Sequence, residues 1–209
     1  TKNPEEKPYF LTNQSAGSFN TFKHSFEAGT GKFLNNLLSV SARYSIINSD
    51  GYIDRAFSKL NSYNINALFE KGNTKLRFLT FGGKEKTYQA WNGIDKATYE
   101  SNPKFNYSGA IYDANWENII GFYDNETDNY RQNHYHLLWE QKLGKIWNLE
   151  TTFYLTHGEG YYENYKQDAK FSKYDLPNIV ENGNTITRTD FIRKKWLDND
   201  FYGVVSNLY

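Results

Sequence analysis

The residues Leu38-Ser39-Val40-Ser41-Ala42-Arg43-Tyr44-Ser45-Ile46 alternate one by one between apolar or aromatic and small, polar or charged. Successive strand side chains point to opposite faces, so this run predicts a strand with one apolar and one polar face. The pattern recurs along the chain. Phe22, Phe26 and Ala28 oppose Thr21, Lys23, Ser25 and Glu27, and Tyr63, Ile65, Ala67 and Phe69 oppose Ser62, Asn64 and Asn66. Tyr135, Leu137 and Trp139 oppose His134, His136 and Glu140. Trp147, Leu149, Phe153 and Leu155 oppose Asn148, Glu150, Thr152 and Thr156. Weaker patterns over 9–16, 74–81 and 201–209 bring the expected strands to eight; in 74–81, Leu79 and Phe81 share a face with Lys75 and Arg77.

The connections alternate in length. A tight Gly17-Ser18-Phe19-Asn20 link joins the first two strands. Turns near 29–36, at Lys71-Gly72-Asn73 and at Gly144-Lys145 are short, and the last two carry the Gly and Asn that positive φ angles require. The connections after the third, fifth and seventh strands are long, near 47–60, 82–127 and 158–200. In bacterial outer-membrane barrels short turns are periplasmic and long loops extracellular. Trp139 and Trp147 fall beside one short turn and Tyr44 and Tyr63 beside a long loop, as two interfacial girdles would. The run 38–46 also matches the ~9–11 residues of a tilted membrane strand. The expected fold is therefore all-β: an antiparallel up-and-down transmembrane β-barrel.

Composition agrees. Aromatics reach 18%, with 18 Tyr and 5 Trp, an excess expected where rings line membrane interfaces or bind sugars. Mean hydropathy is −0.81 and no apolar run approaches the ~20 residues of a membrane helix, which excludes helical membrane proteins but not barrels. Lys plus Arg equals Asp plus Glu, which gives no sign of nucleic-acid binding. With no Cys there is neither a disulfide framework nor thiol chemistry. The absence of Met and the opening Thr1 point to a processed or excerpted chain.

The binding candidates are aromatic residues on the long loops: Tyr88, Trp91, Tyr112, Trp116, Tyr123, Tyr161, Tyr162 and Tyr165. Such rings stack on a chelate or sugar, or else pack the loops onto one another. His134 and His136 share the polar face two residues apart; they are weak metal candidates without a third ligand at defined spacing, so no metal site and no cofactor are expected. The acidic run Asp124-Asn125-Glu126-Thr127-Asp128 lacks the glycine and acid periodicity of a calcium loop and is expected to be a solvated loop tip. No nucleophile motif, P-loop or Ser/Thr poised beside a His is visible, so no enzymatic activity is expected.

Several runs resemble one family. Thr1-Lys2-Asn3-Pro4 is similar to the junction where the plug of a TonB-dependent outer-membrane receptor gives way to its barrel. Gly17-Ser18-Phe19-Asn20-Thr21 and Ser49-Asp50-Gly51-Tyr52-Ile53-Asp54-Arg55 resemble that family's first barrel strands. So do Gly83-Lys84-Glu85-Lys86-Thr87-Tyr88-Gln89-Ala90-Trp91-Asn92-Gly93, Thr127-Asp128-Asn129-Tyr130-Arg131-Gln132-Asn133-His134-Tyr135 and the stretch 193–203. The resemblance implies a division into a linker over 1–6 and a partial barrel over 7–209, about eight strands of roughly 22. It implies import of a scarce nutrient such as an iron chelate, haem or cobalamin-like cargo. Its implied partners are the TonB complex acting through a plug domain, the lipid bilayer, the cargo and a surface lipoprotein, with the bacterial outer membrane as location. Two alternatives share the strand pattern or the aromatics: a passive porin or small structural barrel, and a soluble β-rich carbohydrate-binding module.

Overall fold

A computed structural model describes residues 3–209. Eight strands form one antiparallel sheet in up-and-down order, a partial barrel. They are β1 (Pro8–Gly17), β2 (Thr21–Phe33), β3 (Leu38–Ser49), β4 (Ser58–Lys71), β5 (Thr74–Tyr88), β8 (Thr127–Leu143), β9 (Trp147–Lys170) and β12 (Arg188–Leu208). The connection from β5 to β8 carries helix α1 (Lys96–Ser101) and the pair β6 (Ala110–Tyr112) and β7 (Ile119–Phe122). The connection from β9 to β12 carries a 3₁₀ turn (Phe171–Tyr174) and the hairpin β10 (Ile179–Glu181) and β11 (Asn184–Ile186). Among the described residues no helix is long and apolar enough to cross a membrane, which says nothing of strands.

Cross-strand register turns the one-dimensional alternation into rows. Val40, Ala67, Phe78, Leu137, Phe153 and Val204 sit side by side across six strands. The next row towards the long loops reads Ala42, Ile65, Thr80, Tyr135, Leu155 and Tyr202. Most of these side chains are exposed; Phe78, Leu137 and Phe153 are each more than 40% accessible. A contiguous exposed apolar face of this extent marks a surface that meets something other than water. Two rows further up, the same face becomes Ile46, Asn61, Lys84, Arg131, Glu159 and Asp198. The band therefore has a charged upper border.

The opposite face is polar and covered near the N-terminus. Ser25, Ser39, Ser45, Asn66 and Arg77 are buried there, with Leu68 and Leu79 among them. Asn3, Pro4 and Glu5 lie over Ser41, Asn66 and Leu79, Arg77 donates to the Asn3 side chain, and Tyr9 donates to Glu27 at 2.8 Å. The first two residues of the expected plug junction lie outside the described residues; Asn3 and Pro4 lie against the polar face.

The strands run further than the alternation suggested. The expected turn over 29–36 is mostly strand: Gly31 (φ 67°) forms a bulge in β2, and the Val40 N–H donates to Thr30 Oγ1 at 3.0 Å. The turn itself is 34–37, where Leu34, Asn35 and Asn36 take positive φ. The long connections shrink to 50–57, 89–126 and 171–187: β3 and β4 lengthen at the first, β5 at the second, and β9 and β12 extend at the third as ladders of 24 and 21 residues. Polar strand tops lose the apolar half of the alternation, so periodicity alone cannot see them.

β1 and β12 are the sheet edges, and no ladder joins them among the described residues. Along β12 both faces are open: Trp196 and Tyr202 on one, Leu197 and Val205 on the other, are all more than half exposed.

Candidate functional site

Polar side chains that each find a backbone or side-chain partner hold the loops onto the strand tops. Gln89 is buried, and its Nε2 donates to the carbonyls of Thr127 (3.2 Å) and Glu163 (2.9 Å). Asn164 Nδ2 donates to Gln89 Oε1 and Glu126 Oε1, both at 2.9 Å, and the Tyr165 N–H donates to Glu126 Oε2 at 2.8 Å. Asn106, only 2% exposed, donates to the carbonyls of Asp54 and Gln89 and accepts from the Ser108 N–H. This ties the 50–57 connection to the 89–126 connection. Arg55 adds a bond to the Asn106 carbonyl and lies 3.5 Å from the Phe122 ring centre. The expected solvated tip at 124–128 is corrected here: Glu126 and Thr127 are buried, since the carboxylate caps polar groups of β9.

On the other face Glu163 gathers a second cluster. It accepts from Tyr123 Oη (2.5 Å) and Asn125 Nδ2 (2.6 Å), with Lys194 Nζ at 3.4 Å. Burial pushes its carboxyl up, but those donors outweigh it and hold the group below its ordinary value. Tyr123 is pushed up to about 12, first by burial and then by the Glu163 carboxylate. Tyr165 is also pushed up to about 12, by its 2.5 Å bond to Asp190 and then by burial.

The eight expected aromatic residues separate into distinct places. Tyr88 is 4% exposed, and its hydroxyl sits 3.0 and 2.7 Å from the carbonyls of Ser108 and Tyr123, so it packs the loop. Trp91 meets Tyr162 edge-on at 5.6 Å on the polar side, with Lys195 5.6 Å from the Tyr162 ring. Tyr161 is on the opposite face against Trp196 at 4.5 Å. Tyr123 and Tyr165 stack at 5.7 Å, and so do Tyr112 and Trp116.

Tyr112, Trp116 and Tyr165 are the ones that line a shared cleft, of about 490 Å³. Gln167 fixes its roof by bonding both the N–H (2.8 Å) and the carbonyl (2.7 Å) of Tyr112. Its other walls bring in residues the sequence reading missed: Lys166, Lys173, Tyr174 and Arg188. Arg188 is set by Asp168, with Nε 3.0 Å from the carbonyl and 3.2 Å from the carboxylate. Burial, then the charge of Arg193, pulls Lys166 below its ordinary value. Aromatic faces beside cations suit a flat anionic ligand. A local signal exists for two of these cations: Lys166 follows Tyr165, and Lys173 precedes Tyr174.

Lower on the polar face, His134 stacks on Phe81 at 4.4 Å and bonds Thr156 Oγ1 (2.8 Å) and Gln132 Oε1 (3.2 Å), using both ring nitrogens. The sequence reading found no Thr beside a His on one face; the cross-strand register supplies Thr156 opposite His134. His136 stands edge-on to Phe81. Among the described residues no group of three His, Cys, Asp or Glu side chains is close enough to hold a metal.

No family model and no curated protein matches this sequence. Seven chains among solved structures match its fold. One is the ferric-catecholate import receptor Fiu from E. coli K12 in its closed form, with a TM-score of 0.63 at 12% identity. The match covers 100% of this chain and 29% of Fiu. The likeness is one of fold: this chain has the strand arrangement of part of a receptor barrel.

Proposed function

We propose that this chain forms part of the barrel wall and outer loop surface of a TonB-dependent receptor in the bacterial outer membrane. What supports this above all is the pair of apolar rows from Val40 to Val204 and from Ala42 to Tyr202, mostly exposed, on six strands of a sheet that shares its fold with an import receptor. The apolar face then meets lipid, the polar face meets the lumen and plug, and the long loops reach outward. Capture of a scarce nutrient such as an iron chelate, haem or cobalamin-like cargo is assigned to the loops. The cleft with Tyr112, Trp116, Lys166, Lys173 and Arg188 suits an anionic chelate bearing aromatic groups. A ferric catecholate, the cargo class in Fiu's name, has both features. Import is driven through the TonB complex and a plug, with a surface lipoprotein as a further partner. The role is non-enzymatic.

A soluble sugar-binding module would have to leave the apolar row in water. A small barrel closed by these eight strands would need a ladder between β1 and β12, and none joins them among the described residues. Chelate uptake by cells carrying Trp116→Ala with Lys173→Gln tests the proposal. Two lost contacts of about 1 kcal/mol each predict a fall on the order of tenfold or more. Unchanged uptake of every anionic chelate tried, at equal receptor level, would sink it.

A further inference from the structure

Beside the cleft, the ladder between β9 and β12 slips by one residue. Thr189 pairs with Ala169 and Phe191 with Lys166, so Gln167 and Asp168 on β9 both stand opposite Asp190. Two residues against one is a β-bulge, which twists its strand and re-aims the side chains. Asp168 takes φ 44°, in the left-handed region that Asp tolerates better than most residues. The consequence shows in the cleft. All of residues 165–170 line it, whereas a regular strand turns only every second residue to one side. A bulge also leaves its extra residue without a ladder partner. Asp190 supplies one: its Oδ1 accepts from the Asp168 N–H at 2.8 Å, and its Oδ2 accepts from Tyr165 Oη at 2.5 Å. The Tyr165 bond, then the Asp168 N–H, holds the Asp190 carboxyl below its ordinary value.

Both residues that Asp190 holds lead to a wall of the cleft. Tyr165 is itself an aromatic wall. Asp168 sets Arg188 through its carbonyl at 3.0 Å and its carboxylate at 3.2 Å. Asp190 is exposed and does not line the cleft, so it acts on a bound molecule only through these neighbours. Side chains that touch a ligand need supporting partners to hold their angles. We propose that Asp190 is a positioning residue for the cleft: it clamps the bulge so that the Tyr165 ring and the Arg188 guanidinium meet one anionic aromatic ligand together. This rests on the binding role proposed above for the cleft.

The test measures equilibrium binding of radiolabelled iron(III) tris-catecholate to the full-length protein in detergent micelles. With two orienting hydrogen bonds gone, Asp190→Ala is expected to bind roughly three- to tenfold more weakly. Tyr165→Phe keeps the ring and cuts one of the two bonds, and a smaller loss is expected. In Tyr165→Phe/Arg188→Gln both routes from Asp190 are already cut, so adding Asp190→Ala should change affinity by less than about twofold. A full further loss in that background means that Asp190 only loosens the loop at large, and overturns the positioning role. Wild-type affinity in Asp190→Ala overturns it as well. If Asp190→Ala does not fold, wild-type affinity in Tyr165→Phe has the same force. Trp116→Ala/Lys173→Gln tests the cleft separately. Weak binding there beside wild-type binding in Asp190→Ala removes Asp190 and keeps the cleft; wild-type binding in Trp116→Ala/Lys173→Gln removes both.

Discussion

Glu163 is a charged residue at a position that alternation assigns to the apolar face, and it earns its place by the donors it collects. Tyr123, Asn125 and Lys194 converge on it from a loop and a neighbouring strand. Its carboxyl lies below the usual 4.5, so its stabilisation is complete above that value and is lost as pH falls through the lower folded value. Tyr123 is raised from 10.0 to about 12, so its contribution is complete below 10.0 and is lost as pH rises through about 12. Limited proteolysis within 89–126 should thus be flat between roughly pH 5 and 9 and accelerate in acid. In Glu163→Gln the acid limb should vanish and cleavage should be faster at neutral pH. An acid limb that persists unchanged would assign the loosening to other carboxylates.

At the level of single elements, β3 shows how much a two-residue period controls. Its apolar positions all join cross-strand rows, and the bulge at Thr30–Gly31 in β2 keeps Leu38 in register with Phe33. Depth along the strand sets what a charge costs. Val40→Arg, in the middle row, should destabilise the folded protein in lipid vesicles by about 2–4 kcal/mol, and Trp147→Arg, beside the short turn, by about 0–1 kcal/mol. Urea titrations of the vesicle-folded variants measure both. Equal costs would mean that the face does not meet a bilayer.

For the whole molecule, the sidedness of the connections is the property that matters. Gly72-Asn73 and Gly144-Lys145-Ile146 close one end, while 50–57, 89–126 and 171–187 crowd the other. In intact cells, a cysteine-directed membrane-impermeant label should react with Lys170→Cys, beside the cleft, and leave Lys71→Cys untouched. Reaction at both sites to the same extent would contradict the proposed orientation. The open edges also matter at this scale. β12 exposes both faces and its unpaired edge, a surface that invites strand pairing.

Sequence alone determined the strand class, the faces within the membrane-length segments and the sidedness of turns and loops. These depend on local quantities: a side-chain period of two, and the residues that tolerate positive φ. Tertiary structure alone decided where the loop aromatics go. Tyr88 turned inward, Tyr161 and Tyr162 parted to opposite faces, and Tyr112 and Trp116 joined Lys166, Lys173 and Arg188. It also decided that Glu126 is buried. Those outcomes depend on which residues stand opposite one another across strands many residues apart. Register sets that, and no local pattern encodes it.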